Sequence, residues 1–266
     1  MKGNAVARVA TKKILVAALL ATLAPPLAAR AETPICEPPL DIVRLANPLT
    51  HVGQKLMSGQ PITIVAIGSS STAGAGASSP AKSYPSQLAC ELQKRYPNHP
   101  LTVINRGVNG EEVADMLKRF DQFVIAAKPD LVLWQLGTNS LIRDHDFPDR
   151  GASIRRGIEK IRAANADVVL IDPQFVPKVL VKPQAQHMVD FLAVTAKTED
   201  VDLFRRFDVM KHWREVDRLP FDAFVSADGL HMNDWSYGCL AKGLGMAIAE
   251  AAERPVMSAA IMSLVP

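Results

Sequence analysis

The sequence is poor in cysteine, and it lacks any apolar run long enough to span a bilayer as a helix. Its 266 residues include three cysteines, none of them in a CxxC pair or at zinc-ligand spacing with a histidine. This scarcity excludes a small disulfide-stabilised scaffold and argues against a structural zinc site. The main apolar run, residues 14–23, covers about ten residues, whereas a membrane-spanning helix needs ~20.

A basic stripe is also lacking once the N-terminus is set aside. The whole chain has a net charge of +3, but residues 1–31 hold five Lys and Arg and no Asp or Glu. The other 235 residues carry 25 basic against 27 acidic side chains. Nucleic acid is therefore not expected as a partner. A chain of this length can bury one full hydrophobic core, so we expect one domain of ordinary size.

Residues 1–31 have the three parts of an export signal in the right order. A basic leader within residues 1–13 precedes the apolar core, and Ala29 and Ala31 form a small-x-small cleavage site. We predict cleavage after Ala31, a periplasmic or secreted protein, and no stable membrane insertion after cleavage. A permanent N-terminal anchor is the alternative.

From residue 61 onward, short apolar stretches alternate with segments in which apolar residues recur every three or four positions. This alternation is typical of a parallel sheet covered by helices on both faces. We therefore predict an α/β domain over residues 61–254, preceded by an extended N-terminal arm, residues 32–60, and followed by a tail, residues 255–266. The five predicted strands are residues 61–67, 101–105, 130–136, 167–172 and 201–204.

Helices are predicted between the strands from the same periodicity. One of them covers residues 113–127, and the last covers residues 234–254. Residues 172–186 contain three prolines and no clean period, which predicts a long loop of the kind that often shapes substrate access. The three tryptophans, at positions 134, 213 and 235, either line a pocket or pack in the core or on the surface.

The three cysteines permit one disulfide and leave one thiol. Cys90 lies off the apolar stripe of its predicted helix, and Cys36 lies in the N-terminal arm. We favour a bridge from Cys36 to Cys239, which would tie the arm to the last helix. Other pairings and three free thiols stay open.

Four predicted loops carry residues suited to acyl transfer. They are GSSST after the first strand, NRGVNGEE after the second, GTNS after the third and DGLHMND after the fifth. Loops that follow parallel strands gather along one edge of the sheet. Hydrolysis of an ester needs a nucleophilic oxygen, an imidazole, a carboxylate and donors for the oxyanion. Each loop alone is commonplace, since a serine run is often a turn or a helix cap. Their conjunction indicates a serine-hydrolase site.

In these four blocks the sequence resembles the SGNH or GDSL-type hydrolases. GSSSTAG aligns with the family's G-D-S-L-T-x-G, which makes Ser70 the nucleophile. VINRGVNG matches V-x-N-x-G-x-x-G, and GTNS matches G-x-N-D. These matches imply that Gly110 and Asn139 donate to the oxyanion beside the amide of Ser70. DGLHMND matches D-G-x-H-P-N, which implies Asp228 and His231 as the other catalytic residues.

The resemblance covers most of residues 61–250. It implies a three-layer, flavodoxin-like fold with a five-stranded parallel sheet of order 2-1-3-4-5. Together with the export signal of residues 1–31, the resemblance implies an exported serine esterase that forms an acyl-enzyme, acts on small acyl esters or O-acetylated glycans, and needs no metal or organic cofactor. Two departures from the family pattern carry weight, because Ser69 and Ser140 stand where the family has aspartates that help organise the loops. A third departure, Met232 in place of the proline of the last block, is minor.

Three alternatives stay open. An acyltransferase to a cell-surface glycan would use the same triad, and the departures at Ser69 and Ser140 fit a catalytically silent polysaccharide-binding module. The α/β-hydrolase fold is the structural alternative, because GSSST nearly matches its G-x-S-x-G motif. Against it, Thr72 occupies the last motif position and Ser70 follows the first clear strand rather than a central one.

Overall fold

The computed structural model of the chain describes residues 1–3, 36–145 and 150–255, apart from the side chain of Arg150. The chain divides into two units, Met1–Ile35 and Cys36–Pro266, and the features below belong to the second. The predicted cleavage site after Ala31 and nearly all of the predicted tail lie outside the described residues. Within the described ranges, every helix is too short or too polar to cross a bilayer.

A five-stranded, fully parallel sheet forms the centre of this unit, with strand order β2-β1-β3-β4-β5. The predicted fold class and strand order are confirmed. The central strands are mostly buried apolar residues, as expected for a parallel sheet with both faces covered. The strands are β1 (Ile62–Gly68), β2 (Leu101–Gly107), β3 (Leu131–Gln135), β4 (Asp167–Ile171) and β5 (Asp202–Phe204).

Helices connect and cover the strands. The chain steps from β1 outward to β2 and then back past β1 to β3, so right-handed crossovers place the helices of the two halves on opposite faces. The α-helices within the described residues are α1 (Leu40–Val43), α2 (Thr50–Ser58), α3 (Ser70–Ala73), α4 (Tyr84–Arg95), α5 (Val113–Lys118), α6 (Phe120–Phe123), α7 (Thr138–Ile142), α8 (Arg150–Ala163), α9 (Pro177–Leu180), α10 (Ala185–Thr198), α11 (Arg206–Glu215), α12 (Phe221–Phe224) and α13 (Asp234–Glu253).

The long helices bury the stripes that the sequence indicates. In α8 the isoleucines at positions 154, 158 and 161 are buried, and in α13 Leu240, Leu244 and Ile248 are buried. The helix α13 packs against α4, and α5 packs against α8. Since each fully buried aliphatic side chain contributes about 1.5–3 kcal/mol, these stripes hold the outer layers onto the sheet.

The tryptophans pack internally. Trp134 is fully buried, its ring centroid lies 5.1 Å from that of Phe120, and its Nε1 donates to the sulfur of Met116 at 3.2 Å. A Cβ at Gly157 would lie 2.3 Å from the Trp134 ring, so a glycine there lets α8 lie directly on the indole. The rings of the other two tryptophans, 213 and 235, meet edge to face at 5.0 Å. Of the two predicted roles, packing is correct for the fully buried Trp134 and Trp213, and Trp235 packs against the core while staying partly exposed.

The arm predicted as extended is partly helical, which corrects the sequence-based expectation. It contains α1 and α2, and it buries Val43, Leu49 and Val52 in the core. The Asp167 carboxylate on β4 accepts hydrogen bonds from the amides of His51 at 3.0 Å and Val52 at 3.1 Å. Amides at a helix N-terminus need such an acceptor. Here it comes from a residue more than one hundred positions away.

Two further expectations are wrong in part. The helix predicted over 113–127 is broken into α5, α6 and a 3₁₀ turn, Ile125–Ala127. The break falls at Arg119 (φ −110°, ψ 5°), whose guanidinium binds the carboxylate of Glu111. The loop predicted over 172–186 contains α9 and the start of α10. The loop is predicted because the segment is rich in proline. However, Pro177 occupies the first turn of α9, where proline is tolerated.

The disulfide between Cys36 and Cys239 is present, as favoured from the sequence, and Cys90 is a free thiol. The bridge joins residues 203 positions apart, with their Cα atoms at 5.5 Å. The Nζ of Lys242 also donates to the Cys36 carbonyl oxygen at 2.7 Å. The segment before α1 is therefore fixed to α13 by a covalent bond and a hydrogen bond.

We predict that the double substitution Cys36→Ser, Cys239→Ala lowers the free energy of unfolding by about 2–4 kcal/mol, because the bridge restricts the unfolded chain over a long loop. Denaturant unfolding of the oxidised protein measures the effect. The Cys90→Ser variant is the matched control and should unfold like the unmodified protein. An equal stability for the double variant would show that the bridge contributes nothing to folding.

Candidate active site

Three of the residues singled out in the sequence lie together at the carboxyl edge of the sheet. Ser70 is the first residue of α3, directly after β1, and Asp228 and His231 lie between α12 and α13. The Ser70 Oγ is 2.8 Å from the His231 Nε2, and the His231 Nδ1 is 2.5 Å from the Asp228 Oδ2. The sheet thus brings a hydroxyl, an imidazole and a carboxylate into one hydrogen-bonded line across 161 residues of sequence.

Asp228 is held as a carboxylate by several donors. Its Oδ1 accepts from the Ser226 hydroxyl at 2.8 Å and from the amides of Leu230 and His231, both at 2.9 Å. Partial burial opposes ionisation, but the hydrogen bonds from His231, Leu230 and Ser226 outweigh it and hold the pKa of Asp228 well below its usual range. An ionised Asp228 favours a proton on the His231 Nδ1, which leaves Nε2 as the acceptor that faces Ser70.

The start of the nucleophile loop is fixed by one carboxamide oxygen. The Gln135 Oε1, at the end of β3, accepts from the amide of Ser69 at 2.8 Å and from its hydroxyl at 3.0 Å. The loop also passes close to the end of β2, where a Cβ on Gly107 would lie 2.1 Å from the Ala73 nitrogen. Ser69 and Gln135 are almost fully buried. The family's aspartate position is therefore filled by a hydroxyl that donates to Gln135.

The loop after Ser70 is fastened to the segment that carries His231. The Tyr237 hydroxyl donates to the Ala75 carbonyl oxygen at 2.7 Å, and the amide of Ser78 donates to the Asp234 carboxylate at 2.7 Å. Between them, Gly76 has a φ of 87°, and a Cβ there would lie 2.4 Å from the Met232 carbonyl oxygen. These contacts limit how far the nucleophile and the imidazole can move apart.

Gly110 and Asn139, the two other predicted site residues, lie on the loops that follow β2 and β3. Gly110 has a φ of 80°, and its amide has no hydrogen-bond partner among the described residues. The Asn139 Nδ2 donates to the Glu111 carbonyl oxygen at 2.9 Å, next to Gly110. Since a side-chain amide has two N–H donors, the second one stays available. Ser70, as the first residue of α3, has no intrahelical acceptor for its own amide.

The second departure from the family pattern has a structural counterpart in Glu112. The Ser140 hydroxyl donates to the Glu112 Oε2 at 2.6 Å, and the Glu112 Oε1 accepts from Arg143 at 2.8 Å and His145 at 2.9 Å. Burial opposes ionisation of Glu112, but the hydrogen bonds from Ser140, Arg143 and His145 lower its pKa. A carboxylate thus connects α7, which carries Asn139, to the loop that carries Gly110. In this protein the carboxylate belongs to Glu112, whereas the family pattern has an aspartate at position 140.

Sequence reasoning missed Gln135, Glu112 and Asp234. A signal for Gln135 existed, since it is the single polar residue in the apolar stretch LVLWQL. No local signal marks Glu112 or Asp234, because charged residues beside a helix start are ordinary caps.

The fold and the geometry of this site are those of a serine hydrolase with an α/β fold. A model of the non-GDSL lipase-like family matches residues 35–254, and the chain belongs to that family. The predicted family resemblance is confirmed in this form.

Individual relatives are distant in sequence and similar in fold. An acetylxylan esterase of Geobacillus stearothermophilus is 24% identical over 150 residues, which cover 53% of this chain and 68% of the relative. The crystal structure of a two-domain esterase active on acetylated mannans matches 82% of this chain at 18% identity and a TM-score of 0.68. The chain covers 57% of that two-domain esterase. The structure of Axe2, an acetylxylan esterase from Geobacillus stearothermophilus, matches 70% of this chain and 94% of its own at 21% identity and a TM-score of 0.57.

We predict that Ser69→Asp, which restores the family's residue, destabilises this protein. A carboxylate at position 69 would face the Gln135 Oε1 in a buried site, and two acceptors without a donor between them repel each other. We expect a loss of about 3 kcal/mol, against about 1 kcal/mol for Ser69→Ala, which removes one hydrogen bond. Urea unfolding of both variants measures the difference. A Ser69→Asp variant as stable as the parent would contradict the role given to Gln135.

Proposed function

We propose that this protein is a serine esterase that removes acetyl groups from a polysaccharide. The observation that carries the proposal is the hydrogen-bonded line from the Ser70 Oγ to the His231 Nε2 at 2.8 Å and from the His231 Nδ1 to the Asp228 Oδ2 at 2.5 Å. Membership of the non-GDSL lipase-like family supports ester hydrolysis as the reaction.

In the first half of the proposed reaction, the Ser70 oxygen attacks the ester carbonyl carbon while the His231 Nε2 accepts the serine proton. Asp228 stays ionised and stabilises the imidazolium through its bond to Nδ1. The developing negative charge on the carbonyl oxygen is met by the amides of Ser70 and Gly110 and by the Asn139 Nδ2. Donors aimed at this charge in a fixed frame are the largest single source of catalysis in such sites.

In the second half, the tetrahedral intermediate collapses and His231 gives its proton to the leaving sugar oxygen. The acetyl group stays bonded to the Ser70 oxygen as an acyl-enzyme. A water molecule then attacks the acyl carbon, and His231 accepts one of its protons. The second collapse returns the proton from His231 to the Ser70 oxygen and releases acetic acid, which then gives its own proton to the solvent and becomes acetate, so atoms and charges balance over the cycle.

Acetylated polysaccharide is the proposed substrate class because of the relatives. The Geobacillus stearothermophilus relative is an acetylxylan esterase, and the two-domain esterase of similar fold is active on acetylated mannans.

We predict that the protein hydrolyses p-nitrophenyl acetate faster than longer-chain esters, and that Ser70→Ala lowers kcat at least about 1000-fold, because no other group in the site supplies the nucleophile. Asn139→Ala should lower kcat about 100- to 1000-fold through the lost oxyanion donor. Spectrophotometric assays over an acyl-chain series give both values. Ser86→Ala, a change of the same type on α4, is the control and should keep full activity.

The same variants, together with fluorophosphonate labelling and polysaccharide binding, separate the competing functions. Activity that survives in Ser70→Ala would contradict the proposed nucleophile. Reaction of Ser70 with a fluorophosphonate, but acetyl release only when a glycan acceptor is present, would favour an acyltransferase. Binding to a polysaccharide without fluorophosphonate labelling would favour a silent binding module.

We also propose export through residues 1–31. The support is the order of basic leader, apolar core and cleavage site in the sequence, together with the Cys36 to Cys239 disulfide, a type of bond that persists in oxidising compartments.

We predict that the exported protein begins at Glu32. Mass spectrometry of the protein recovered from the periplasm or the medium measures its N-terminus. An Ala31→Arg variant, which removes the small residue at the cleavage site, should keep the leader. An unmodified protein that retains residues 1–31 after export would favour the N-terminal anchor instead.

A further inference from the structure

Gln174 is a buried side chain that lies between the two halves of the site. It follows β4 in the segment that the sequence marked as a loop, and it is 1% exposed. Its Oε1 accepts a hydrogen bond from the Thr138 hydroxyl at 2.9 Å, and its Nε2 donates to the Leu230 carbonyl oxygen at 3.2 Å. Thr138 immediately precedes Asn139, and Leu230 immediately precedes His231. One carboxamide therefore joins the segment that carries Asn139 to the segment that carries His231.

The bond to Leu230 fixes the peptide group on which His231 depends. The carbonyl of this peptide accepts from Gln174 at 3.2 Å, and its N–H, that of His231, donates to the Asp228 Oδ1 at 2.9 Å. A planar peptide that is held at both ends cannot rotate without breaking one of the two bonds. The Cα of His231, and with it the path of its side chain toward Ser70, is thereby restricted.

Glutamine is suited to this position because one end must accept and the other must donate. The Leu230 carbonyl can only accept, so it requires the Nε2, and the orientation of the carboxamide follows from it. The Thr138 hydroxyl then donates to the Oε1. The bond to Thr138 is buried and the bond to Leu230 is partly buried. Losing the Thr138 hydroxyl therefore leaves the Gln174 Oε1 unsatisfied in the protein interior.

The segment that carries Gln174 is hydrogen-bonded to its neighbours on both sides, so the backbone at Gln174 has little freedom to move. The Asp172 Oδ1 accepts from the amide of Phe207 at 2.8 Å, and the Asp172 carbonyl oxygen accepts from the Arg206 Nε at 2.8 Å. Beyond Gln174, the amide of Lys178 donates to the Gly229 carbonyl oxygen at 3.0 Å. The segment is thus bonded to the start of α11 on one side and to the Asp228 loop on the other.

We propose that Gln174 is a positioning residue that sets the distance between the oxyanion donor Asn139 and the general base His231. This proposal rests on the proposed function, because it assigns Gln174 a role in the same site. Gln174 acts through Thr138 and Leu230 and does not itself contact the reacting atoms. In the proposed reaction Asn139 donates to the ester carbonyl oxygen, and His231 accepts the proton of the serine that attacks the carbonyl carbon. A change in the distance between Asn139 and His231 therefore misplaces one of these two groups relative to the ester. Misplacement by about 1 Å costs on the order of 100-fold in rate.

The test compares Gln174→Met with the parent protein on p-nitrophenyl acetate. Methionine has a similar length and is apolar, so it fills the site without making either hydrogen bond. We expect kcat to fall about 10- to 100-fold with a smaller change in KM, with all rates expressed per active site titrated with a fluorophosphonate. Gln93→Met is the matched control, since the Gln93 carboxamide also donates to backbone carbonyls but lies at the end of α4, and it should keep the parent kcat.

Substitutions at Thr138 test the hydrogen bond from Thr138 to Gln174 separately from the bond to Leu230. Thr138→Val removes the hydroxyl at nearly constant volume and should lower kcat, whereas Thr138→Ser keeps the hydroxyl and should restore it. Thr195→Val, a change of the same type at a buried threonine on α10, should leave kcat unchanged. If Gln174→Met kept the parent kcat per titrated site, or if Thr138→Ser behaved like Thr138→Val, the positioning role would be overturned.

A spectroscopic measurement keeps this test independent of the proposed reaction. The proton between the His231 Nδ1 and Asp228 should give a far-downfield proton NMR resonance in the parent and in Gln93→Met. It should shift or broaden in Gln174→Met, because the backbone at position 231 is released. An unchanged resonance overturns the inference. Suppose that the parent shows this resonance, that the resonance shifts or broadens in Gln174→Met, and that the parent hydrolyses no ester. The proposed function then fails, and the positioning role stands.

Discussion

The parallel register of β1 with its two neighbours is the constraint on which the active site depends. Gly68 at the end of β1 is paired with Gly107 on β2, and Ile67 is paired with Trp134, next to Gln135 on β3. This alignment ends the three strands at one level and puts the loops that carry Ser70, Gly110 and Asn139 beside one another. A shift of one residue in either pairing would turn each side chain to the opposite face of the sheet. The buried aliphatic residues of the strands prevent such a shift, so packing of the core determines the geometry of the site.

Within this frame, the two departures from the family pattern are accommodated in different ways. At position 69 the hydroxyl donates to the Gln135 Oε1, an acceptor that a carboxylate could not share. At position 140 the hydroxyl donates to Glu112, so a carboxylate is still present between the Gly110 and Asn139 loops. In both cases the short polar side chain has a buried or half-buried partner on a neighbouring segment, Gln135 at the end of β3 and Glu112 on the loop before α5. The departures therefore alter which residues connect the loops and leave the connections in place.

Local signals in the sequence predict the strands and the three side chains of the hydrogen-bonded line, whereas the strand order follows from the family resemblance. Apolar runs mark β1, β3 and β4, and short motifs mark Ser70 and His231. The missed features depend on distant partners. The helix α2 begins where the Asp167 carboxylate accepts its first amides, and the turn before it is held by Asp202, which accepts from the amide of Ala46 at 2.7 Å. Gln174 has the same character, since its partners lie 36 and 56 residues away. Periodicity in one segment contains no information about such contacts.

Two aspartates lie at this edge of the sheet, Asp172 after β4 and Asp228 between α12 and α13, and their surroundings differ. Asp172, directly after β4, is fully buried beside Arg206, and burial raises its pKa to about 7. One of its oxygens is used by the amide of Phe207, so it supports the backbone of the segment that carries Gln174. Asp228 is partly exposed and surrounded by donors, which keeps it ionised. An ionised carboxylate beside an imidazole is what proton transfer from a serine requires. The hydrogen bond at 2.5 Å pairs Asp228 with His231, in agreement with the motif in which both residues lie, and the other donors around Asp228 favour the charge that this pairing needs.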